Sequence, residues 1–80
     1  MTQQEEYDIV CENIRYLRKK YGLSRTAMAR RLHITVRTLD LLEAGIFPDR
    51  IRIGIFFHVW QAFDVPPTMM LTCRLEQIKP

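Results

Sequence analysis

The side chains best suited to metal binding or nucleophilic chemistry are two cysteines and two histidines, which stand far apart in the sequence. Cys11 and Cys73 form no CxxC pair, and His33 and His58 do not complete a ligand set with them. A zinc site needs clustered ligands at characteristic spacings. No nucleophile–base pair and no glycine-rich phosphate loop is visible. We therefore expect no metal, cofactor, small-molecule ligand or enzymatic activity, and we interpret the cysteines as small buried or half-buried apolar residues.

Charged residues are segregated along the first half of the chain. Residues 1–14 carry only acidic charges, whereas residues 15–37 carry only basic ones. Such a basic run is typical either of a solvated face with cations near a helix C-terminus, or of a surface that meets a polyanion. Charge alone leaves both interpretations open. The basic residues of the run are Arg15, Arg18, Lys19, Lys20, Arg25, Arg30, Arg31 and Arg37.

Length and composition restrict the class of protein. A chain of 80 residues, 48% of them hydrophobic, predicts one packed domain over 1–80. A domain this short buries only about 60% of its unfolded surface, so a second subunit would add stability. No apolar run approaches the roughly 18 residues that span a membrane, and we do not expect the polar start at Met1 to be a signal peptide. We expect a cytoplasmic protein without membrane contact.

Apolar spacing and terminal residues predict the first helix. Val10, Ile14 and Leu17 recur at steps of four and three, which indicates a helix over about 4–20. Gly22 follows as a left-handed stop.

Two shorter helices follow at once. Ser24 is a favourable N-cap for a helix over about 25–32, and Thr35 for another over about 36–44 that Gly45 ends. The side chains expected inside are Met28, Ala29, Leu32, Leu39 and Leu42, with Ile34 filling the turn.

The last third of the chain is rich in apolar residues, and their spacing is typical of helices. A fourth helix is predicted over about 53–63, and Pro66-Pro67 ends it and begins a fifth. No segment shows the alternation of a sheet, so the predicted class is all-α. The side chains expected to form the core face of the fourth helix are Ile53, Phe56, Phe57, Trp60 and Phe63.

Several short motifs occur in order and in register. They are Asn13-Ile14-Arg15-x-Leu17-Arg18, Gly22-Leu23-Ser24, Ala29-x-x-Leu32-x-Ile34-Thr35 and Leu42-Glu43-x-Gly45. Together they resemble the phage-repressor and Cro-like helix-turn-helix family of small prokaryotic and phage transcriptional regulators.

The resemblance covers about 10–71 and implies a compact five-helix fold of the lambda-repressor type, with a helix-turn-helix over about 25–45. It leaves 72–80 as a C-terminal extension. His33 stands where the family most often has glycine, and we interpret it as the left-handed turn residue.

The resemblance also implies the roles of individual residues in binding double-stranded DNA. The helix over 36–44 enters the major groove, where Arg37 is best suited to a bidentate contact with guanine. Val36 could touch a thymine methyl group, and Asp40 could accept from a cytosine amino group. The implied base-reading residues are Val36, Arg37, Thr38, Asp40 and Leu41.

Phosphate contacts are expected on either side of that helix. Arg25 and the Thr35 cap would meet phosphates directly, and the backbone of Ala44, Gly45 and Ile46 would meet the sugar-phosphate chain. Charge alone adds Arg50 and Arg52. The resemblance further implies an ion pair between Arg18 and Glu43 that ties the first helix to the third.

The tail carries a further apolar stripe at helical spacing. Its residues are either a homodimer contact, which would pair two half-sites about 34–36 Å apart, or part of the monomer's own core. The stripe consists of Met69, Met70, Leu71, Leu75 and Ile78.

A second function remains open. The surface of Val36, Asp40 and Leu41 is less polar than a base-reading surface commonly is. A module that keeps the fold could therefore use this face to bind a protein, as an antitoxin or anti-repressor would.

Overall fold

The computed structural model describes residues 2–48 and 53–78, and within these ranges it is all-helical. The predicted all-α class with five helices is confirmed. A short 3₁₀ helix follows the fifth α-helix at Leu75–Gln77. The α-helices are α1 (Gln3–Lys20), α2 (Arg25–Leu32), α3 (Val36–Glu43), α4 (Gly54–Phe63) and α5 (Pro67–Thr72).

The first three helices begin at hydroxyl caps. The Thr2 side chain accepts from the Glu5 N–H at 3.2 Å. Ser24 Oγ accepts from the Ala27 N–H at 3.1 Å. Such caps satisfy N–H groups that have no partner within a helix, at about 1 kcal/mol each. They explain why α2 begins at the residue that its capping serine predicted.

The core lies between α1 and the four shorter helices. α1 packs against α3 and α5, α2 packs against α3 and α4, and α4 packs against α5. The fully buried side chains come from all five helices, which makes them one continuous core. The largest are Ile14, Met28, Leu32, Leu39, Leu42 and Met70.

The predicted core face of α4 is wrong for three of its five residues; Phe63 is buried as predicted, and Phe56 packs half-buried against the core. The helix buries Ile55 and Val59 along with Phe63, whereas Ile53, Phe57 and Trp60 are 74%, 51% and 45% exposed. Almost every position of α4 is apolar, so the sequence period does not distinguish the two faces. Contact with α2 and α5 selects the face with the smaller aliphatic residues.

The C-terminal stripe is not one helix. α5 ends at Thr72, and Cys73 takes an extended conformation before the 3₁₀ helix begins. Met70 is 0% and Leu75 is 7% exposed, because both close the monomer's own core. Met70 and Leu75 therefore cannot be dimer contacts in this fold. Met69 and Leu71 are half-buried against the same core, and Ile78 is exposed.

A buried amide explains the break in the stripe. Asn13 on α1 is 1% exposed. Its Nδ2 donates to the carbonyls of Met70 at 3.1 Å and Cys73 at 2.7 Å. Its Oδ1 accepts from the Leu75 N–H at 2.9 Å. One side chain thus satisfies backbone groups that the end of α5 leaves without helical partners.

Candidate nucleic-acid interface

The turn between α2 and α3 is fixed by a left-handed residue. His33 has φ 57° and ψ 41°. Its N–H donates to the Arg30 carbonyl, and the Ile34 N–H donates to the Ala29 carbonyl at 3.0 Å. This pairing is a Schellman motif, which ends a helix and turns the chain sharply. Ile34 then packs against the core, so the direction of α3 is set before the helix begins.

α3 presents one face to the core and the other outward. Leu39 and Leu42 are completely buried. On the outward face, Arg37 and Asp40 are exposed. Val36 is 38% and Leu41 is 37% exposed, which leaves two apolar side chains among the outward residues.

Thr38 is placed differently from the other four predicted base readers. It is half-buried on the flank of α3. Its N–H donates to Thr35 Oγ1 at 3.1 Å, and the two hydroxyls lie 3.0 Å apart. Thr38 therefore completes the N-cap of the helix, a role that the sequence did not indicate.

Arg25 lies beside the outward face of α3. Its Nε is 3.4 Å from Asp40 Oδ1, and the two side chains are 62% and 53% exposed. An exposed pair of this kind contributes about 0–1 kcal/mol. The residue expected to contact phosphate and one of those expected to read bases are thus paired with each other.

The implied pair of Arg18 and Glu43 is present as a bidentate contact. Arg18 Nε donates to Glu43 Oε2 at 2.7 Å and the Nη2 donates to Oε1 at 2.9 Å. A third donor, Nη1, reaches the Leu23 carbonyl at 3.2 Å. The hydrogen bond to Glu43, with lesser charge contributions from Glu43 and Asp40, raises the pKa of Arg18. This contact holds α1, the following loop and α3 together.

The basic run of α1 continues the surface around α3. Arg15 and Lys19, one helical turn apart, line a groove whose other wall includes Arg25 and Ala44. Both are exposed. From the sequence, Arg15 and Lys19 were assigned to the basic run but were not predicted to belong to the interface around α3. Two features of the sequence could have indicated their position. Arg15 and Lys19 are four residues apart, so they share one helix face, and they lie next to Arg18, which pairs with α3.

The backbone after α3 closes the end of the helix, and its contact with the sugar-phosphate chain stays a prediction. The N–H groups of Ala44, Gly45 and Ile46 donate to the carbonyls of Asp40, Leu42 and Leu41. They close the C-terminus of α3, with Gly45 at φ 87°. Their N–H groups are therefore not available to hydrogen-bond phosphate. The predicted contacts at Arg50 and Arg52 lie outside the described residues.

The turn also contacts α4 through a pair of imidazoles. The rings of His33 and His58 stack with centroids 4.0 Å apart and an angle of 22° between their planes. The turn of the helix-turn-helix is therefore held against α4 as well as against the core. Nothing in the sequence indicated that these two histidines would contact each other.

The described residues contain no group of three or more histidine, cysteine or acidic side chains that could hold a metal ion. Burial, followed by the charges of Asp8 and Glu12, raises the pKa of the Cys11 thiol to about 11. Cys11 therefore remains a protonated core residue at neutral pH. None of the helices in the described ranges combines the length and hydropathy needed to cross a membrane.

Comparison with known proteins agrees with this geometry. A family model described as helix-turn-helix matches residues 14–68, which is well over half of the chain. No curated protein and no solved structure matches the sequence. The match includes α2, the turn, α3 and α4, together with the part of α1 that bears Arg18. The family resemblance is thereby confirmed, and the chain belongs to the helix-turn-helix family of the Cro/C1 (XRE) type.

Proposed function

We propose that the protein is a sequence-specific regulator of transcription that binds double-stranded DNA with α3 in the major groove. One observation supports this most directly. α3 is anchored by Leu39 and Leu42 while Arg37 projects from its opposite face. A rigid helix with an exposed arginine suits bidentate recognition of guanine. The protein is proposed to act without catalysis, in the cytoplasm.

Phosphate contacts are assigned to the cations around α3. Arg25, Arg15 and Lys19 line one groove beside it. The N-terminus of α3 adds backbone N–H groups and the positive end of a helix dipole near Thr35. These groups position the protein on the duplex without reading sequence. Two acids also line this groove. Glu43 is paired with Arg18, and Asp40 is proposed to accept a hydrogen bond from a base amino group.

Salt dependence tests the proposal. Binding of the protein to random-sequence duplex should weaken steeply with salt, with a log–log slope near −0.9 for each neutralised phosphate and about four to six phosphates per subunit. A flat response, or no binding at low salt, would contradict DNA binding. That result would favour the protein-binding alternative, in which Val36 and Leu41 contact a partner.

Two substitutions separate base reading from phosphate contact. Arg37→Ala should reduce the preference among sequences, with about 1–3 kcal/mol of discrimination lost at one base pair. Arg25→Ala should weaken all sequences about equally and reduce the salt slope by about one. Binding to a randomised duplex pool, followed by sequencing, measures both effects.

The matched control is Arg31→Ala, which removes an exposed positive charge from α2. We expect its sequence preference to equal that of the unmodified protein. If Arg37→Ala instead weakened every sequence alike, Arg37 would not be the base-reading residue.

The DNA-bound protein is proposed to be a homodimer. A single domain of this kind makes few base contacts, and two-fold pairing doubles them across adjacent half-sites. Of the tail residues expected at the dimer contact, two are buried, two are half-buried and Ile78 is 46% exposed, so the tail offers little apolar surface for pairing.

A further inference from the structure

The most apolar exposed surface of the described residues lies on α4 rather than on the tail. Ile53 precedes the helix, and Phe57 and Trp60 follow at steps of four and three, so the three side chains share one face. We call these three residues the α4 stripe. Each of them is between 45% and 74% exposed. The opposite face, with Ile55 and Val59, supplies the contacts to α2 and α5.

The size of the α4 stripe is sufficient for a weak interface. Aromatic side chains offer about 150–250 Å² each, so the exposed part of the stripe amounts to roughly 300 Å² per molecule. Two such stripes remove roughly 600 Å² of apolar surface from water, and a non-obligate interface is about 57% apolar. The whole contact then covers about 1,000 Å², the lower limit for a specific interface.

Charge favours a second copy of the chain as the occupant. α4 contains no aspartate, glutamate, lysine or arginine, although the whole chain carries a net charge of +3. Two identical molecules that meet along α4 therefore bring no like charges of this helix against each other. A helix that lies on a membrane carries lysine or arginine beside its apolar face. α4 lacks these residues.

We propose that two molecules associate through the α4 stripe about a two-fold axis, with Phe57 and Trp60 at its centre. This inference deepens the proposed homodimer, and only its consequence for DNA rests on the proposed function. On the proposed function, such a pair would present two copies of α3 to adjacent half-sites.

Sedimentation equilibrium tests the association directly. The unmodified protein should form dimers as its concentration rises towards about 1 mM, with a dissociation constant that is micromolar or weaker. Trp60 is the single tryptophan of the chain. Its fluorescence emission should therefore shift to shorter wavelength over the same concentrations, because its exposed face is removed from water. A protein that stays monomeric with unchanged emission would overturn the proposal.

Paired variants locate the interface. Phe57→Glu places like charges opposite each other across the two-fold axis and should abolish the dimer. Ile78→Glu, on a side chain that is similarly exposed at 46%, is the matched control from the tail and should dimerise normally. A dimer that persists in Phe57→Glu, or that is lost in Ile78→Glu, would overturn the α4 assignment. Trp60→Gln provides the same test without a charge if Phe57→Glu does not fold.

DNA binding is tested separately. A random-sequence duplex of about ten base pairs, one helical turn, accommodates one recognition helix. Phe57→Glu should bind this duplex as the unmodified protein does, since α3 is unchanged. Failure of the unmodified protein to bind it would contradict the proposed function, whereas the sedimentation result alone decides whether the α4 stripe pairs.

Discussion

His33 combines an unfavourable backbone with a favourable side-chain contact. A non-glycine residue in the left-handed region costs about 1–2 kcal/mol, although histidine tolerates it better than most. Its ring stacks on His58 at a centroid distance of 4.0 Å, and aromatic pairs contribute about 0.5–1.5 kcal/mol. The two effects are of similar size. The ring contact thus offsets the strain that glycine would avoid at this turn.

We expect His33→Gly to change stability by less than about 1 kcal/mol in the unmodified protein, because the relief of backbone strain is balanced by the lost stacking. In a His58→Ala background, the same substitution should stabilise the protein by about 1 kcal/mol. Urea unfolding of the four proteins in this cycle measures the coupling. Equal effects in both backgrounds would show that the rings do not stabilise each other.

The conformation of His33 could be predicted from its place between two capped helices, but its partner could not. Local propensity and spacing determine where a turn must bend. Which ring covers that turn depends on how α4 packs against α2, and no local pattern records this packing. Thr38 illustrates the same limit of local patterns. Its position in the helix was predicted, but its part in the N-cap is seen only from its contact with the Thr35 hydroxyl.

Asn13 holds the C-terminal segment to the longest helix. Replacing it with alanine leaves the carbonyls of Met70 and Cys73 and the N–H of Leu75 without their partner, and a buried unsatisfied group costs about 1–3 kcal/mol. We expect Asn13→Ala to lower the free energy of unfolding by about 3 kcal/mol. Chemical denaturation measures this loss.

Asn13→Asp is the matched variant of the same size. At neutral pH it places a carboxylate oxygen against two carbonyls, so it should destabilise the protein at least as much as alanine. Acidification converts the carboxylate to a donor, so the loss should become smaller as the pH falls through the titration of the introduced carboxyl group. A loss that is independent of pH would contradict the hydrogen-bond assignment.

Arg18 and Glu43 connect helices α1 and α3 through a partly buried pair, with side-chain exposures of 17% and 8%. Removing either partner leaves the other charge without compensation, at a cost of about 3 kcal/mol. We expect Arg18→Ala and Glu43→Ala to show this loss in urea unfolding, and the double variant to lose clearly less than their sum.

Arg74 and Glu12 form the control for that measurement. Their atoms lie 2.9 Å apart, but the side chains are 43% and 44% exposed. Arg74→Ala should therefore cost less than about 1 kcal/mol. Similar losses for Arg18→Ala and Arg74→Ala would mean that burial does not strengthen the contact between α1 and α3.

Helix boundaries were largely predictable, whereas the buried face of α4 was not. α2 has its predicted bounds because Ser24 caps one end and a left-handed residue ends the other. α4 is apolar on nearly all sides, so only its tertiary contacts decide that Ile55 faces inward and Phe57 outward. The prediction of one helical stripe in the tail was wrong for a related reason. Asn13 is far away in the sequence, yet it bonds the backbone after α5 and so interrupts the helix that the spacing indicated.

At the scale of the whole molecule, Arg15, Lys19 and Arg25 line a groove on one side of α3, and the exposed acid Asp40 lies among them. On the proposed function, Asp40→Asn removes a negative charge from the DNA surface and frees Arg25. Because an exposed pair contributes about 0–1 kcal/mol, affinity for random duplex should rise by up to about fivefold at low salt. Glu76→Gln, which neutralises an exposed acid on the 3₁₀ helix, is the control for net charge. An equal rise in both variants would contradict a local role for Asp40.

On the proposed function, the pairing of Arg25 with Asp40 has a consequence for the search of a genome. A regulator competes for its operator with about 10⁶–10⁹ other sites, so occupancy depends on the ratio of affinities rather than on tight binding alone. If Arg25 binds phosphate as proposed, an acid that partly neutralises it weakens binding to every wrong site by the same factor. Only a site that offers Asp40 an amino group compensates for this loss. The carboxylate would thereby shorten the time that the protein spends on irrelevant DNA.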